Sequence, residues 1–101
     1  MIDRLEQSKA IANKHRVKVL QWLADPRKHF ANQTAGDPLE IGVCVTLLTD
    51  KLGMAQPTVS RHLEVLRRAE LLSVRKIGRW SYFARNEAAI AGYKQWLQDG
   101  I

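Results

Sequence analysis

The hydrophobic and polar positions of residues 48–72 form two short helical patterns separated by a turn. Gly53 ends the first pattern, at a place where a helix C-cap favours a residue that tolerates positive φ. Pro57 lies in the first turn of the second pattern, where its missing N–H costs little. The apolar positions of the first pattern, which share one side, are Leu47, Leu48 and Leu52. Two helices joined so tightly predict a helix-turn-helix.

The second helix of this pair has one apolar side and one small, polar and basic side. Val59, Leu63 and Leu66 stand at i, i+4 and i+7 and predict a single buried stripe. The opposite side carries short polar groups first and long cations later: Gln56, Thr58, Ser60, Arg61, Glu64, Arg67 and Arg68. A slim N-terminal half rich in hydrogen-bonding groups suits the DNA major groove, because that groove is only about 12 Å wide.

Two further helices are predicted ahead of this motif. One covers residues 2–12, and Asn13 then suits the N-cap of a second helix over about residues 14–24. The second helix is apolar over most of its circumference, which predicts a central position covered on several sides.

Residues 27–40 break the helical pattern, with turn-forming residues and scattered apolar ones. A segment of this length is near the limit for a structureless connection in a compact domain. It either folds locally around Phe30 and Leu39 or is mobile and functional. The short apolar run that follows, residues 41–45, is compatible with a strand that pairs with a later one.

A β-hairpin is predicted directly after the helix-turn-helix. Residues 72–77 and 79–84 have the alternation and aromatic content of strands, and Gly78 allows a tight turn between them. A hairpin in this position is a wing. Its cations suit a phosphate backbone or the minor groove, and they are Arg75, Lys76 and Arg79.

The last predicted helix covers residues 87–98, with Asn86 as N-cap, and is apolar on more than one face. It either packs into the core or meets a partner, and a partner explains more of its apolar surface. Residues 1–13 and 86–101 are therefore the candidate dimerisation helices of a homodimer. The predicted interface residues are Leu5, Ile90, Tyr93, Trp96 and Leu97.

Together these elements predict a mainly α fold with a small β-hairpin wing, in the order four helices, two strands and a fifth helix. The 101 residues predict a single domain, 1–101, with a small core that a dimer interface would supplement. The net charge of +6 points towards a polyanionic partner. One cysteine excludes an internal disulfide and fits a reducing cytosol. Because no apolar run approaches the roughly 18 residues of a membrane span, we expect a cytoplasmic protein without a membrane segment.

With motif and wing in place, the chain resembles the ArsR/SmtB family of bacterial winged-helix repressors over about residues 10–85. The family's recognition-helix signature is closely matched by QPTVSRHLEVLRRAELL (residues 56–72). Its second-helix entry is resembled by AIANKHRVKVLQWLADP (residues 10–26), and its second wing strand by GRWSYFA (residues 78–84). The resemblance implies a homodimer, joined through the first and last helices, that binds an imperfect inverted repeat in double-stranded DNA and represses transcription.

The resemblance also implies which residues contact DNA. In that family the recognition helix enters the major groove, and the matching positions are Gln56, Thr58, Ser60, Arg61 and His62. His62 borders the Leu63 stripe, so it either contacts DNA or packs against the protein. The wing contact falls to Arg79.

The family's metal-binding patterns are broken in this sequence. One class carries Cys-x-Cys ahead of the recognition motif, whereas here Cys44 is followed at the second position by Thr46. One thiolate cannot supply the three or four ligands that such ions need. The other class places Asp and His ligands on the last helix, where this chain has no His. We predict no metal site and no cofactor.

Three other functions fit the sequence less well than DNA binding does. An enzyme is not expected, because the sequence has no Gly-rich phosphate loop and no nucleophile elbow. A thiol-based redox sensor would use Cys44, but its neighbours Val43 and Val45 favour a buried, unreactive thiol. A winged-helix protein-interaction module would have lost positive charge from the recognition helix and wing, and this sequence shows the reverse. The sequence therefore predicts a sequence-specific DNA-binding transcriptional regulator, and the family resemblance implies that it is a repressor.

Overall fold

The computed structural model describes residues 2–101, in which helices enclose a small antiparallel sheet. The elements in chain order are α1 (Arg4–Ile11), α2 (Lys14–Leu23), α3 (Pro26–His29), α4 (Pro38–Ile41), β1 (Val43–Cys44), α5 (Val45–Leu52), α6 (Gln56–Arg68), β2 (Leu72–Ile77), β3 (Trp80–Arg85) and α7 (Glu87–Gly100). The predicted mainly α fold with a β-hairpin wing is confirmed. The structure adds two four-residue helices, α3 and α4, and a third strand, so the predicted order of five helices and two strands was incomplete.

Side-chain caps mark where α1, α2 and α7 begin. The Asp3 carboxylate accepts hydrogen bonds from two backbone N–H groups of the first turn, at 2.9 and 3.1 Å. Helix α1 therefore begins at Arg4 and not at Ile2, where the sequence placed its start. The predicted caps Asn13 and Asn86 are confirmed, because their side chains accept from the first turns of α2 and α7.

The segment between α2 and β1 folds locally around one aromatic residue. Phe30 is 1 % exposed, and its ring packs edge-on against Trp22 with centroids 6.4 Å apart. Lys51 of α5 places its ammonium 5.3 Å from the Trp22 ring and 5.5 Å from the Phe30 ring. Leu39 is 55 % exposed, so the local core forms around Phe30 without it.

The side chain of Gln33 joins the segment between α2 and β1 to the sheet through hydrogen bonds. Its Nε2 donates to the carbonyls of Gly36 (3.0 Å) and Gly42 (2.9 Å). Its Oε1 accepts from the Cys44 N–H at 2.9 Å. One side chain thus satisfies three backbone groups that the irregular chain would otherwise leave without partners.

The sheet has the order β1-β3-β2, and all its pairs are antiparallel. The pairing of Val43 with Phe83 joins β1 to β3, which confirms the strand suggested for residues 41–45. In the hairpin Ile77 pairs with Trp80, so β3 begins at Trp80 and Arg79 lies in the turn, one residue from where the sequence placed it. Gly42 has a φ of 91°, and a Cβ there would lie 2.9 Å from the Phe83 carbonyl oxygen, which only glycine avoids.

The core lies between the sheet and helices α1, α2, α5 and α6. The predicted stripe of α6 is confirmed, because Val59, Leu63 and Leu66 are at most 1 % exposed. Only Val19 and Leu23 of α2 are buried, so this helix is covered on fewer sides than its composition predicted.

We expect Gln33→Ala to lower the free energy of unfolding by about 1–3 kcal/mol, because three backbone groups lose their partner. Urea denaturation followed by circular dichroism measures the change. The neighbouring exposed residue supplies the control: Asn32→Ala should stay within about 0.5 kcal/mol of the wild type. Equal midpoints for the two variants would contradict the role given to Gln33.

Candidate nucleic-acid interface

Helices α5 and α6 form the helix-turn-helix. Gly53 ends α5 with a φ of 66°, and its N–H donates to the Thr49 carbonyl at 3.0 Å. Helix α6 begins at Gln56 with Pro57 in its first turn. Both positions agree with the sequence pattern. Because Gly53 adopts the left-handed conformation there, the chain reverses quickly enough to bring α6 against α5.

The side of α6 that faces away from the core is polar. Gln56, Ser60 and Arg61 are exposed, and Thr58 is half-buried. These four residues occupy the N-terminal half of the helix, where the side chains are short apart from Arg61. The arrangement leaves hydrogen-bonding groups free on a narrow helix end, as major-groove reading requires.

His62 lies on a flank of α6 that faces α2. Its Nδ1 is 3.0 Å from an Arg16 Nη1, and its ring centroid is 5.7 Å from that of His15. Burial, followed by the charges of Arg16 and His15, lowers the pKa of His62 from its ordinary value. Of the two alternatives that the sequence left open for His62, the structure shows the packing contact with the protein.

The C-terminal half of α6 neutralises part of its own charge. The Arg67 Nε donates to the Glu64 carboxylate at 2.7 Å, and this contact lowers the pKa of Glu64. Arg68 lies 3.9 Å from the same carboxylate. Unlike the first half of the helix, this end presents side chains that already have ionic partners.

An open cleft of about 360 Å³ separates the exposed edge of α6 from the wing. Val45, Val74 and Phe83 form an apolar floor. The polar and cationic side chains that line the cleft include Gln56, Ser60, Lys76 and Arg79. The helix and the hairpin therefore present their polar groups to one continuous surface.

The three wing cations do not share one face of the hairpin. Lys76 and Arg79 line the cleft beside α6, whereas Arg75 lines a separate hollow with Glu40 and Tyr82. Arg79 lies in the turn, with its guanidinium carbon 5.6 Å from the centre of the Trp80 ring. Trp80, which the sequence did not single out for binding, is 42 % exposed and lines the cleft as well. Its place became apparent only once the hairpin register was known.

The residues predicted at a dimer interface divide into two groups. Leu5 and Leu97 are exposed and Trp96 is half-buried. Ile90 and Tyr93 are buried within their own chain, and the Tyr93 hydroxyl is 2.8 Å from the Ser8 Oγ of α1. Helix α7 thus uses one face inside the chain and keeps another accessible beside α1.

The remaining candidate chemistry is limited in the part of the chain that the structure describes. Within residues 2–101, no group of three or more His, Cys, Asp and Glu side chains is placed to hold a metal ion. Cys44 is buried, and its Sγ accepts a hydrogen bond from Thr46 at 3.2 Å. None of the described helices is long and apolar enough to cross a bilayer.

A helix-turn-helix followed by a two-stranded hairpin that shares a cleft with its second helix defines a winged helix-turn-helix DNA-binding fold. The sequence profile of the bacterial regulatory protein arsR family matches residues 43–74. YbzH of Bacillus subtilis (strain 168), described as an uncharacterized HTH-type transcriptional regulator, is 41 % identical over 100 residues, which span 99 % of this chain and 100 % of YbzH. The chain belongs to the ArsR family of transcriptional regulators, as the resemblance implied.

Solved structures show the same fold. The crystal structure of an ArsR family transcriptional regulator superimposes with a TM-score of 0.71 at 21 % identity, over 99 % of this chain and 92 % of that one. The solution structure of the homodimeric winged helix-turn-helix domain Mb0332 from Mycobacterium bovis gives a TM-score of 0.65 at 23 % identity, over 94 % and 77 %. Since the family consists of transcriptional regulators, membership assigns this chain to transcription regulation.

Proposed function

We propose that this protein is a repressor that binds an inverted repeat in double-stranded DNA as a homodimer. The observation that carries the proposal is the shared cleft, which is lined by the polar edge of α6 and by two cations of the wing, Lys76 and Arg79. A duplex lying on that surface would meet both elements at once. The net charge of +6 favours such a partner at long range.

Base reading falls to the N-terminal half of α6. Gln56, Thr58 and Ser60 offer short donors and acceptors, and Arg61 offers the planar fork that pairs with guanine O6 and N7. Val59 and Leu63 hold the helix from behind, because both are buried in the core. His62 is assigned to the protein side of the helix, since its Nδ1 is already occupied by Arg16.

Phosphate contacts fall to the wing. Lys76 and Arg79 border the cleft, so they lie where the sugar-phosphate backbone of DNA beside the major groove would pass. The Trp80 ring next to Arg79 limits where the guanidinium can lie, which reduces the entropy that a phosphate contact would cost. Arg75 lies on the other side of the hairpin, where it would contact the DNA backbone.

Dimerisation falls to residues 1–13 and 86–101 of the single domain 1–101. The accessible apolar side chains of α1 and α7, Leu5, Trp96 and Leu97, would lie between two copies of the chain. Ile90 and Tyr93 support that surface from inside the protomer. A two-fold dimer presents two α6 helices in opposite directions, and this symmetry is what an inverted repeat matches.

Selection of bound sequences from a random duplex library tests the proposal as a whole. We expect an inverted repeat whose half-sites lie about 34–36 Å apart, or a multiple of that distance, along the helix axis. Anisotropy titrations should then show the selected site bound at least about 10³-fold more tightly than random duplex. A reporter promoter that overlaps the site should lose expression when the protein is supplied. An unenriched library, or enrichment of single half-sites alone, would contradict the proposal.

Arg61→Ala and Arg79→Ala form a matched pair that separates base reading from backbone contact. Removing Arg61 should cost about 1–3 kcal/mol on the selected site and relax the preference at one base position. Removing Arg79 should weaken binding to all sequences alike and reduce the salt slope by about 1. Both effects are measured by titration at several salt concentrations. If the Arg79 variant changed base preference alone, the wing would not have the role given to it.

Substitution of two exposed leucines tests the dimer, because one lies on the proposed interface and the other lies outside it. Leu97→Glu puts a charge on the accessible face of α7, whereas Leu39→Glu puts the same charge on α4. Sedimentation equilibrium at micromolar concentration should give a two-chain mass for the wild type and for Leu39→Glu, and a one-chain mass for Leu97→Glu. Burying an unpaired carboxylate in an interface is the physical reason. A wild-type monomer would refute the assembly.

A further inference from the structure

Arg16 of α2 joins three helices at one point. Its Nε donates to the Ala10 carbonyl at 2.6 Å and its Nη2 to the Lys9 carbonyl at 3.3 Å, at the C-terminal end of α1. Its Nη1 lies 3.0 Å from Nδ1 of His62 on α6. The same guanidinium therefore holds the end of a candidate dimerisation helix and the middle of the recognition helix.

The contact with His62 requires a neutral imidazole. A guanidinium has only donors, so the Nδ1 that faces it must accept and must carry a lone pair. Protonation would place an Nδ1–H against an Arg16 N–H and set two cations about 3 Å apart.

The charged groups that act on His62 disfavour a positive charge on its ring. The charged groups that act on its pKa are Arg16 and His15 of α2, and both lower it, as burial does. From α1 the nearby polar groups are the carbonyls of Lys9 and Ala10, which Arg16 already occupies. Within the described chain, no carboxylate is among the groups that shift this pKa.

A second polar contact joins α1 to the C-cap of α6, the residue directly after the end of that helix. Gln7 is fully buried, and its Nε2 donates to the Ala69 carbonyl at 3.1 Å. Its Oε1 accepts from Arg4 at 3.1 Å. Gln7 carries no charge that changes near neutral pH, so of the two contacts only the one through His62 responds to acid.

We propose that Arg16 is a positioning residue, which sets the recognition helix against the dimerisation helices through a neutral His62, so that specific DNA binding is lost on acidification. The inference rests on the proposed function, because it concerns how the α6 helices of two protomers are positioned to match two half-sites. Protonated His62 repels Arg16, and this part of α6 then loses its link to α1 and α2. The two α6 helices are no longer held at fixed positions relative to the two half-sites. Binding through charge alone persists, since a protonated histidine adds to the positive charge of the protein.

The sign of the pH effect separates this mechanism from a direct DNA contact. Ordinary histidine protonation near DNA strengthens binding as the pH falls, whereas here the ratio of specific to random affinity should fall. The pKa of His62 is lowered from 6.5. Between about pH 8 and about pH 5.5 the ratio should therefore drop at most about tenfold for each protomer.

The test compares the wild type with His62→Asn and with His29→Asn by anisotropy titration on the selected site and on random duplex at the two pH values. The His62→Asn substitution is designed to keep an oxygen acceptor for Arg16 without a titrating group. We expect the ratio of specific to random affinity to stay constant between about pH 8 and about pH 5.5 for His62→Asn, whereas that of the wild type falls. His29 lies on α3, away from this contact. For His29→Asn the ratio of specific to random affinity should therefore fall in acid as it does for the wild type.

Equal losses for the wild type and His62→Asn, or a wild-type ratio that rises in acid, would overturn the inference. If His62→Asn binds without selectivity near pH 8, the urea midpoints described below decide, and parallel pH curves for the two proteins overturn the inference. Absence of specific binding by the wild type near pH 8 would instead refute the proposed function, and this inference with it.

Unfolding without DNA gives an independent measurement of the same contact. The folded-state pKa of His62 is below its unfolded value of 6.5, so the unfolded chain binds more protons in acid. The stability supplied by neutral His62 is present above pH 6.5 and is lost as the pH falls through the folded-state pKa. Urea midpoints of the wild type should therefore fall further in acid than those of His62→Asn. Parallel curves would contradict a neutral His62 in the fold.

Discussion

Burial of one stripe on α6 is the constraint on which the rest of the structure depends. Val59, Leu63 and Leu66 are at most 1 % exposed, and burying each contributes about 1.5–3 kcal/mol. Since neighbouring residues of a helix differ in direction by about 100°, turning α6 by one position would expose this stripe and bury charged groups. The rotation of the helix is therefore fixed by its apolar side, and the polar face that includes Ser60 and Arg61 has only one direction in which to point.

The wing depends on a strand of only two residues. Val43 and Cys44 pair with β3, and the backbone then continues directly into α5 at Val45. The base of the hairpin and the start of the helix-turn-helix are thus neighbouring parts of one short chain segment. Gln33 binds the Cys44 N–H and the Gly42 carbonyl, so it supports this junction from the loop side. These few contacts connect the base of the wing to the start of the helix-turn-helix.

Features that depend on neighbours in sequence were predicted well, and features that depend on distant partners were not. Apolar spacing located α5, α6 and the hairpin, and side-chain caps located the starts of α2 and α7. Four-residue helices such as α3 and α4 are too short to show a period. Gln7 and Arg16 look like ordinary surface residues in the sequence, because their partners Ala69 and His62 lie 62 and 46 positions away. His62 matches a groove position of the family, and the structure adds its contact with Arg16 of α2.

These distant polar contacts matter because the apolar core alone defines helix positions loosely. Hydrophobic burial is non-directional, so a packed stripe opposes rotation but resists small shifts along the helix axis less strongly. A hydrogen bond fails within a few tenths of an ångström, and the contacts of Gln7 and Arg16 supply such a limit between α1 and α6. In a protein that attracts DNA by charge, affinity is not sensitive to these limits. Selectivity between sequences is sensitive to them, because it requires the same helix face to meet the same base edges each time.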